Sequence, residues 1–318
     1  MAARTRLFFV ADLHGSERCF RKFLNAGKAY EANVLLIGGD IAAKTITPLF
    51  PEDGGWAATF RGERRRVATE TEARSLEADL RALGTLPHRT TVREWEALSA
   101  DRRRMDELFR DLALRELERW LALAAERLRS TGTRVLIGLG NDDFDEMEAV
   151  VGGHDFVELT DRAILRIDDA HELVTIAYSN VTPWRTNREL TEPEIAKRLE
   201  ELGRGVERPE RAIYNVHVPP LNTPLDLAPK LDANLTKVMS PGGDPEFVHV
   251  GSTSVRAALE RAQPLLGLHG HIHESKGFVR LGRTIALNPG SVYPEGVLQG
   301  ALLDLEPDRV RSYLLTTG

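Results

Sequence analysis

A single cysteine, Cys19, stands in 318 residues. One thiol can form neither a disulfide within the chain nor a thiolate metal cluster, so any metal site must be built from His, Asp, Glu or Asn. A basic excess is missing too. The formal net charge is −6 and the sequence pI about 5.9, whereas a dedicated nucleic-acid binder carries a surplus of Lys and Arg. RGERRR (61–66) and DRRR (101–104) leave room for a local basic groove, but a solvated face is the simpler reading. No apolar run approaches membrane-spanning length. The run LFFVA near the N-terminus is short, ends at Asp12 and His14, and lacks a signal-peptide cleavage pattern. A cytoplasmic protein is the expectation. Internal repeats and low-complexity tracts are absent.

What is present reads as α/β. RLFFVA (6–11) is a short buried strand. A helix follows, with Ser16 as N-cap and an apolar face of Cys19, Phe20, Phe23 and Leu24. NVLLIGGD (33–40) is the next strand, so the opening is a β-α-β unit of a parallel sheet. The third such strand, RVLIGLG, comes only at 134. The intervening 44–131 reads as a mainly helical insertion, with a hairpin at 55–69, a short helix at 75–84 and a long helix over 101–130. The stripe Met105, Leu108, Phe109, Leu112, Leu117, Trp120, Leu121, Ala124 and Leu128 predicts a packed face. The insertion packs on the sheet edge, caps a site, or carries an oligomer surface. After 146, strands follow one another quickly, with helices only near 192–202 and 254–262, which favours antiparallel pairing in much of this half.

Three buried strands end in polar clusters: DLH (12–14), GGD (38–40) and GNDD (140–143). Asn and Asp favour turns, so one such tip is ordinary. Three can converge, because ligands of open α/β sheets sit beyond the carboxyl ends of the strands. His217 lies at another strand end, and GHIH places His271 and His273 two residues apart, on one side of an extended segment. Asp12 and His14 have the same relation. Imidazole plus carboxylate suits Mn, Fe, Zn or Co. Of the other histidines, His88, His154, His171 and His249 read as surface residues, and His269 as a core or supporting residue.

In order, DLH, GGD, GND (140–142), NVH (215–217) and GHIH (270–273) resemble the five blocks of the calcineurin-like metallophosphoesterases: D-x-H, G-D, G-N-H-[DE], a lone His, and G-H-x-H. NPGS (288–291) is similar to a segment frequent in bacterial and archaeal members. The resemblance spans 12–273. It implies a four-layer α/β-β/α sandwich, here one domain over 1–318 interrupted by 44–131, holding two divalent metals. It assigns Asp12, His14, Asp40 and His273 to one metal, and Asp40, Asn141, His217 and His271 to the other, with Asp40 bridging. Two cations can clamp a phosphoryl group and activate a bridging hydroxide, with Mn, Fe, Co or Zn as the metal.

The chain departs from the pattern at Asp142, where the family has a histidine near the leaving group. An ionised aspartate only accepts hydrogen bonds, and it repels a dianionic monoester more than a monoanionic diester. The expectation is a phosphodiesterase acting on a small diester. Asp142 and Asp143 are its candidate catalytic residues beside the metals; Asp143 orients a ligand or caps the following helix. Gly251–Ser254 reads as a helix N-terminus with Ser254 as N-cap, or as an anion site. Two alternatives stand beside this: a non-catalytic scaffold of the same fold, partnered through the insertion, and a nuclease using the insertion's arginines.

Overall fold

A computed structural model describes residues 5–161 and 163–318. Alternation within the strand Thr5–Val10 sets the layering. Leu7 and Phe9 face one way, Phe8 and Val10 the other, and all four are buried. A strand buried on both faces needs a layer on each side.

The first six-stranded sheet runs Arg309–Thr317, Gln299–Glu306, Thr5–Val10, Val34–Ile37, Arg134–Ile137, Val157–Leu159. Its last four strands are mutually parallel, and the first two are antiparallel additions. The second sheet runs Gly277–Leu281, Thr284–Asn288, Leu266–Leu268, Ile213–Val216, Glu172–Ile176, Leu165–Arg166. Between the sheets, Leu7, Phe9, Leu36 and Leu136 meet Leu173, Ile213, Leu266 and Leu287 in one apolar cluster. Each such side chain contributes about 1.5–3 kcal/mol on burial. Helices cover the outer faces. Phe20 of α1 (Glu17–Ala29) stacks on Trp120 of α4 (Arg102–Leu128), ring centroids 4.3 Å apart, over the first sheet. α6 (Glu192–Arg204) and α7 (Thr253–Ala262) cover the second through Ile195, Leu199, Val255 and Leu259. The result is the four-layer α/β-β/α sandwich. Among the described residues, no helix is long and apolar enough to cross a membrane.

Three expectations need correction. The centre of the second sheet is parallel, not antiparallel, because α6 and α7 are crossovers and the Gly277–Leu281 strand turns the chain back before Thr284–Asn288. Residues 44–131 hold more than helices. Glu63–Val67, Gly55–Phe60, Thr45–Glu52 and Thr85–Arg89 form a four-stranded sheet, and α2 (Glu70–Ala82) packs Leu76 and Leu80 on its Leu49 and Ala58. α3 (Val92–Ser99) leads into α4, whose stripe of Leu117, Trp120, Leu121, Ala124 and Leu128 is the packed face that the spacing predicts. Finally, His171 is not a surface residue. It is 2% exposed, and its ring bonds Asp168 and the Glu306 carbonyl.

Asp168 also accepts from the amides of Ala170 and His171 and from the Thr5 hydroxyl. Burial alone would raise its carboxyl, but His171 and Thr5 hold it well below the usual range. A depressed folded-state value contributes stability above the unfolded value, about 3.9, and that stability is lost as pH falls below it. The advantage of the wild type over Asp168→Asn in urea melts should therefore be largest above about pH 4 and shrink toward pH 2. A difference independent of pH would refute this role.

Candidate metal centre

The tips of parallel strands from both sheets meet at one end of the sandwich. Asp12 follows Thr5–Val10, Asp40 follows Val34–Ile37, Asn141 follows Arg134–Ile137, His217 follows Ile213–Val216, and His271 and His273 follow Leu266–Leu268. The chain bends sharply at these points. Asp12, His14, Asp40 and His271 all have left-handed backbones, with φ of 58°, 41°, 55° and 67°. Such a conformation costs a non-glycine residue about 1–2 kcal/mol, and strain of this kind gathers at functional sites. Glycine permits the close approach of the tips. A Cβ at Gly140 would collide with the Asp40 carboxylate, and one at Gly270 would lie 2.5 Å from Asp12 Oδ2.

The side chains converge. His14 Nε2 lies 3.0 Å from His273 Nε2 and 3.6 Å from Asp40 Oδ2. Asp12 Oδ1 lies 3.4 Å from His273 Nε2 and 3.8 Å from His217 Nε2. Asp40 Oδ2 lies 3.3 Å from His217 Nε2, between the two groups. Asp12, His14 and His273 form one set able to hold a metal ion, and Asp40, His217 and His271 form another. Asn141 Oδ1 is buried without a hydrogen-bond partner. Buried polar atoms are nearly always partnered, so this oxygen fits a donor set for a cation.

Electrostatics agree. Burial would raise both carboxyls, yet the neighbouring histidines hold Asp12 below and Asp40 well below the usual range. Burial pushes His271 down to about 4, helped by His217. His217 itself is disfavoured by burial but driven up to about 9 by Asp40 and Asp12. The two carboxylates thus favour positive charge at this place.

Supporting groups aim the ligands. Asp143 is fully buried, and neither of its oxygens faces the cluster. Oδ1 accepts from the amides of Ile41 and Ala42, just beyond Asp40, and Oδ2 from Gly140, which pins two strand tips together. It does not cap α5 (Glu146–Gly152). Burial, reinforced by Asp40, raises its carboxyl to about 7. Asn141 Nδ2 donates to Thr186 Oγ1 at 2.9 Å, and that hydroxyl donates to Glu189, so the amide oxygen is left for the cluster. Asn288 Nδ2 donates to the Gly270 and Ile272 carbonyls, shaping the turn that carries His271 and His273. Ser291 Oγ donates to the Asp12 carbonyl.

Asp142 stands at the rim. Its amide donates to Asp40 Oδ1, its Oδ2 lies 3.8 Å from His14 Nδ1, and Lys44 Nζ sits 2.8 Å from that same Oδ2. Burial and Asp40 raise its carboxyl against the opposing pull of Lys44. Lys44 gave no signal in the sequence: IAAKTIT carries no motif, and its partner lies 98 residues away. Thr186 and Asn288 were equally silent, although NPGS marked the right segment. The helix end near 251 is not an open anion site. Ser252, not Ser254, is the N-cap, and Glu192 takes the Ser254 amide and the Ser252 and Thr253 hydroxyls.

No family model matches the chain. The uncharacterized protein MJ1162 of Methanocaldococcus jannaschii is 33% identical over 132 residues, 41% of this chain and 52% of its own length. The match thus spans about half of that relative. Among solved structures, one superposes with a TM-score of 0.60 at 14% identity, covering 99% of both chains. TT1561 of Thermus thermophilus superposes with a TM-score of 0.53, also at 14% identity and 99% coverage of both. These likenesses carry the fold alone, an α/β sandwich over the whole chain.

Thr186→Val keeps the shape of the side chain but frees the Asn141 amide to turn. Metal affinity, read by chelator competition, should fall about 10–100-fold, as for other groups that orient ligands. An unchanged affinity would remove Thr186 from this role.

Proposed function

We propose that the chain is a metal-dependent phosphoester hydrolase that uses two divalent ions and prefers phosphodiesters. One observation carries the reading: seven side chains from five strand ends, Asp12, His14, Asp40, Asn141, His217, His271 and His273, are brought to one buried place, with Asp40 between the two sets. Asp12, His14, Asp40 and His273 would hold one ion; Asp40, Asn141, His217 and His271 the other. Neutral imidazole, carboxylate and amide oxygen suit Mn²⁺, with Fe²⁺, Co²⁺ and Zn²⁺ as further candidates. When bound, such a pair supplies an activated water and the positive charge that a transferring phosphoryl group needs.

The chain's own residues do the rest. Asp143 locks the backbone on either side of Asp40 and Asn141. Thr186 fixes which end of the Asn141 amide faces the cluster. Asp142 and Lys44 form a neutral pair at the rim. That pair supports the diester preference. At this position the chain offers no uncompensated positive charge for the second negative charge of a monoester, whereas a diester has only one. The original reason, an unpaired Asp142 that repels phosphate, gives way to this one, because Lys44 neutralises the carboxylate.

The alternatives draw less support. Arg64, Arg65 and Arg66 are already paired with Glu52, Asp79 and Asp53, so the basic cluster is not the free phosphate-binding strip that a nuclease would need. A scaffold has no use for an unpartnered buried oxygen at a ligand cluster. We further place the protein in the cytoplasm, acting on a small diester as a single domain, in which 44–131 borders the site.

Metal analysis after Mn²⁺ loading should return about two ions per chain. A matched diester should turn over faster than its monoester; the reverse order, or no metal and no turnover, would defeat the reading. Asp142→His should raise the ratio of monoester to diester activity, and an unchanged ratio would count against the role given to the Asp142–Lys44 pair.

A further inference from the structure

Residues 44–131 bring one charged group to the metal centre, their first residue, Lys44. Its ammonium lies 2.8 Å from Asp142 Oδ2, and its side chain is 42% exposed. A lysine has three N–H donors, and Asp142 takes one. Asp142 is itself fixed, since its amide donates to Asp40 Oδ1 and Asn141 Nδ2 donates to its Oδ1. The lysine is thus tethered through Asp142 to Asp40 and Asn141.

The surroundings are anchored as well. The segment continues into the strand Thr45–Glu52, whose Thr45 and Thr47 hydroxyls bond Thr85. Ser16 Oγ donates to the Ala82 carbonyl at the end of α2. Arg61, at the turn between Gly55–Phe60 and Glu63–Val67, donates to the Pro294 carbonyl. Beside it, the Tyr293 ring lies 4.8 Å from His14 and 5.9 Å from His273. The inserted sheet is therefore docked on the rim of the metal centre and not merely on the sheet edge.

The pair sits where solvent begins, with Lys44 42% and Asp142 17% exposed. A tethered ammonium beside a phosphoester site presents pre-oriented donors, with little rotamer freedom left to lose on binding. We propose that Lys44 is a substrate-binding residue, held in place by Asp142, whose ammonium donates a hydrogen bond to a non-bridging oxygen of the phosphoryl group. This rests on the hydrolase reading above. It also gives the insertion a task, since it brings to the rim the donor that Asp142 cannot be.

The test compares wild type, Lys44→Met and Lys44→Arg, each loaded with Mn²⁺. Metal content and thermal melts should be the same in all three. Inorganic phosphate, titrated calorimetrically, should bind Lys44→Met about ten- to a hundredfold more weakly, as for loss of a charged hydrogen bond. KM for a diester should rise in parallel, and Lys44→Arg should recover part of both. The double variant Lys44→Met/Asp142→Asn separates the donor from the charge it masks: phosphate binding that stays weak in it supports the proposal, and recovery to the wild-type affinity would assign Lys44 only to masking Asp142 and overturn it. If wild type and Lys44→Met bind metal and phosphate equally well, the proposal falls and the hydrolase reading stands. If wild type binds neither metal nor phosphate, both fall together.

Discussion

Two carboxylates held out of water at neighbouring strand ends govern this structure. Asp12 and Asp40 are 0% and 2% exposed, and a buried charge left uncompensated costs several kcal/mol. Compensation comes from imidazoles carried by the opposite sheet. His217 approaches both carboxylates, its Nε2 3.8 Å from Asp12 Oδ1 and 3.3 Å from Asp40 Oδ2. The fold accepts four left-handed non-glycine residues and two crowded glycines to keep this geometry. A hydrophobic interface between the sheets, built from leucines and Phe9, is what holds the two halves of the cluster against each other.

Around that centre the labour is divided by distance. The candidate ligand atoms face one another. Asp143, Thr186, Asn288 and Ser291 spend their polar atoms on the backbone or on a ligand's far side, so each ligand is left little freedom to turn. Asp142 and Lys44 lie one step further out, where solvent begins. This ordering accounts for the different fates of the three polar residues in GNDD. Asn141 offers its oxygen to the cluster, Asp142 holds a lysine at the rim, and Asp143 never faces the cluster and ties two loops together.

Much of this was legible in the chain, for local reasons. A buried strand that ends in Asp, Asn or His is a pattern within a few residues, and Asp12, Asp40, Asn141, His217, His271 and His273 all stand in it. Ser16 as N-cap and the long helix ending near Leu128 were equally local. What escaped detection is non-local. Lys44 meets Asp142 across 98 residues, Thr186 meets Asn141 across 45, and His171 is buried by the Glu306 carbonyl 135 residues on. The strand Thr45–Glu52 was hidden by Pro48 and Pro51, residues that disfavour a sheet interior. Quick succession of strands favours hairpins, but α6 and α7 are long enough to cross over, so the centre of the second sheet is parallel.

Anomalous X-ray scattering from crystals grown with Mn²⁺ addresses the central claim directly. Two peaks are expected on either side of the Asp40 carboxylate, about 3.5–4 Å apart, as in other two-metal sites. One peak should lie among Asp12, His14 and His273, the other among Asn141, His217 and His271. A single peak, or peaks that do not share Asp40, would contradict it.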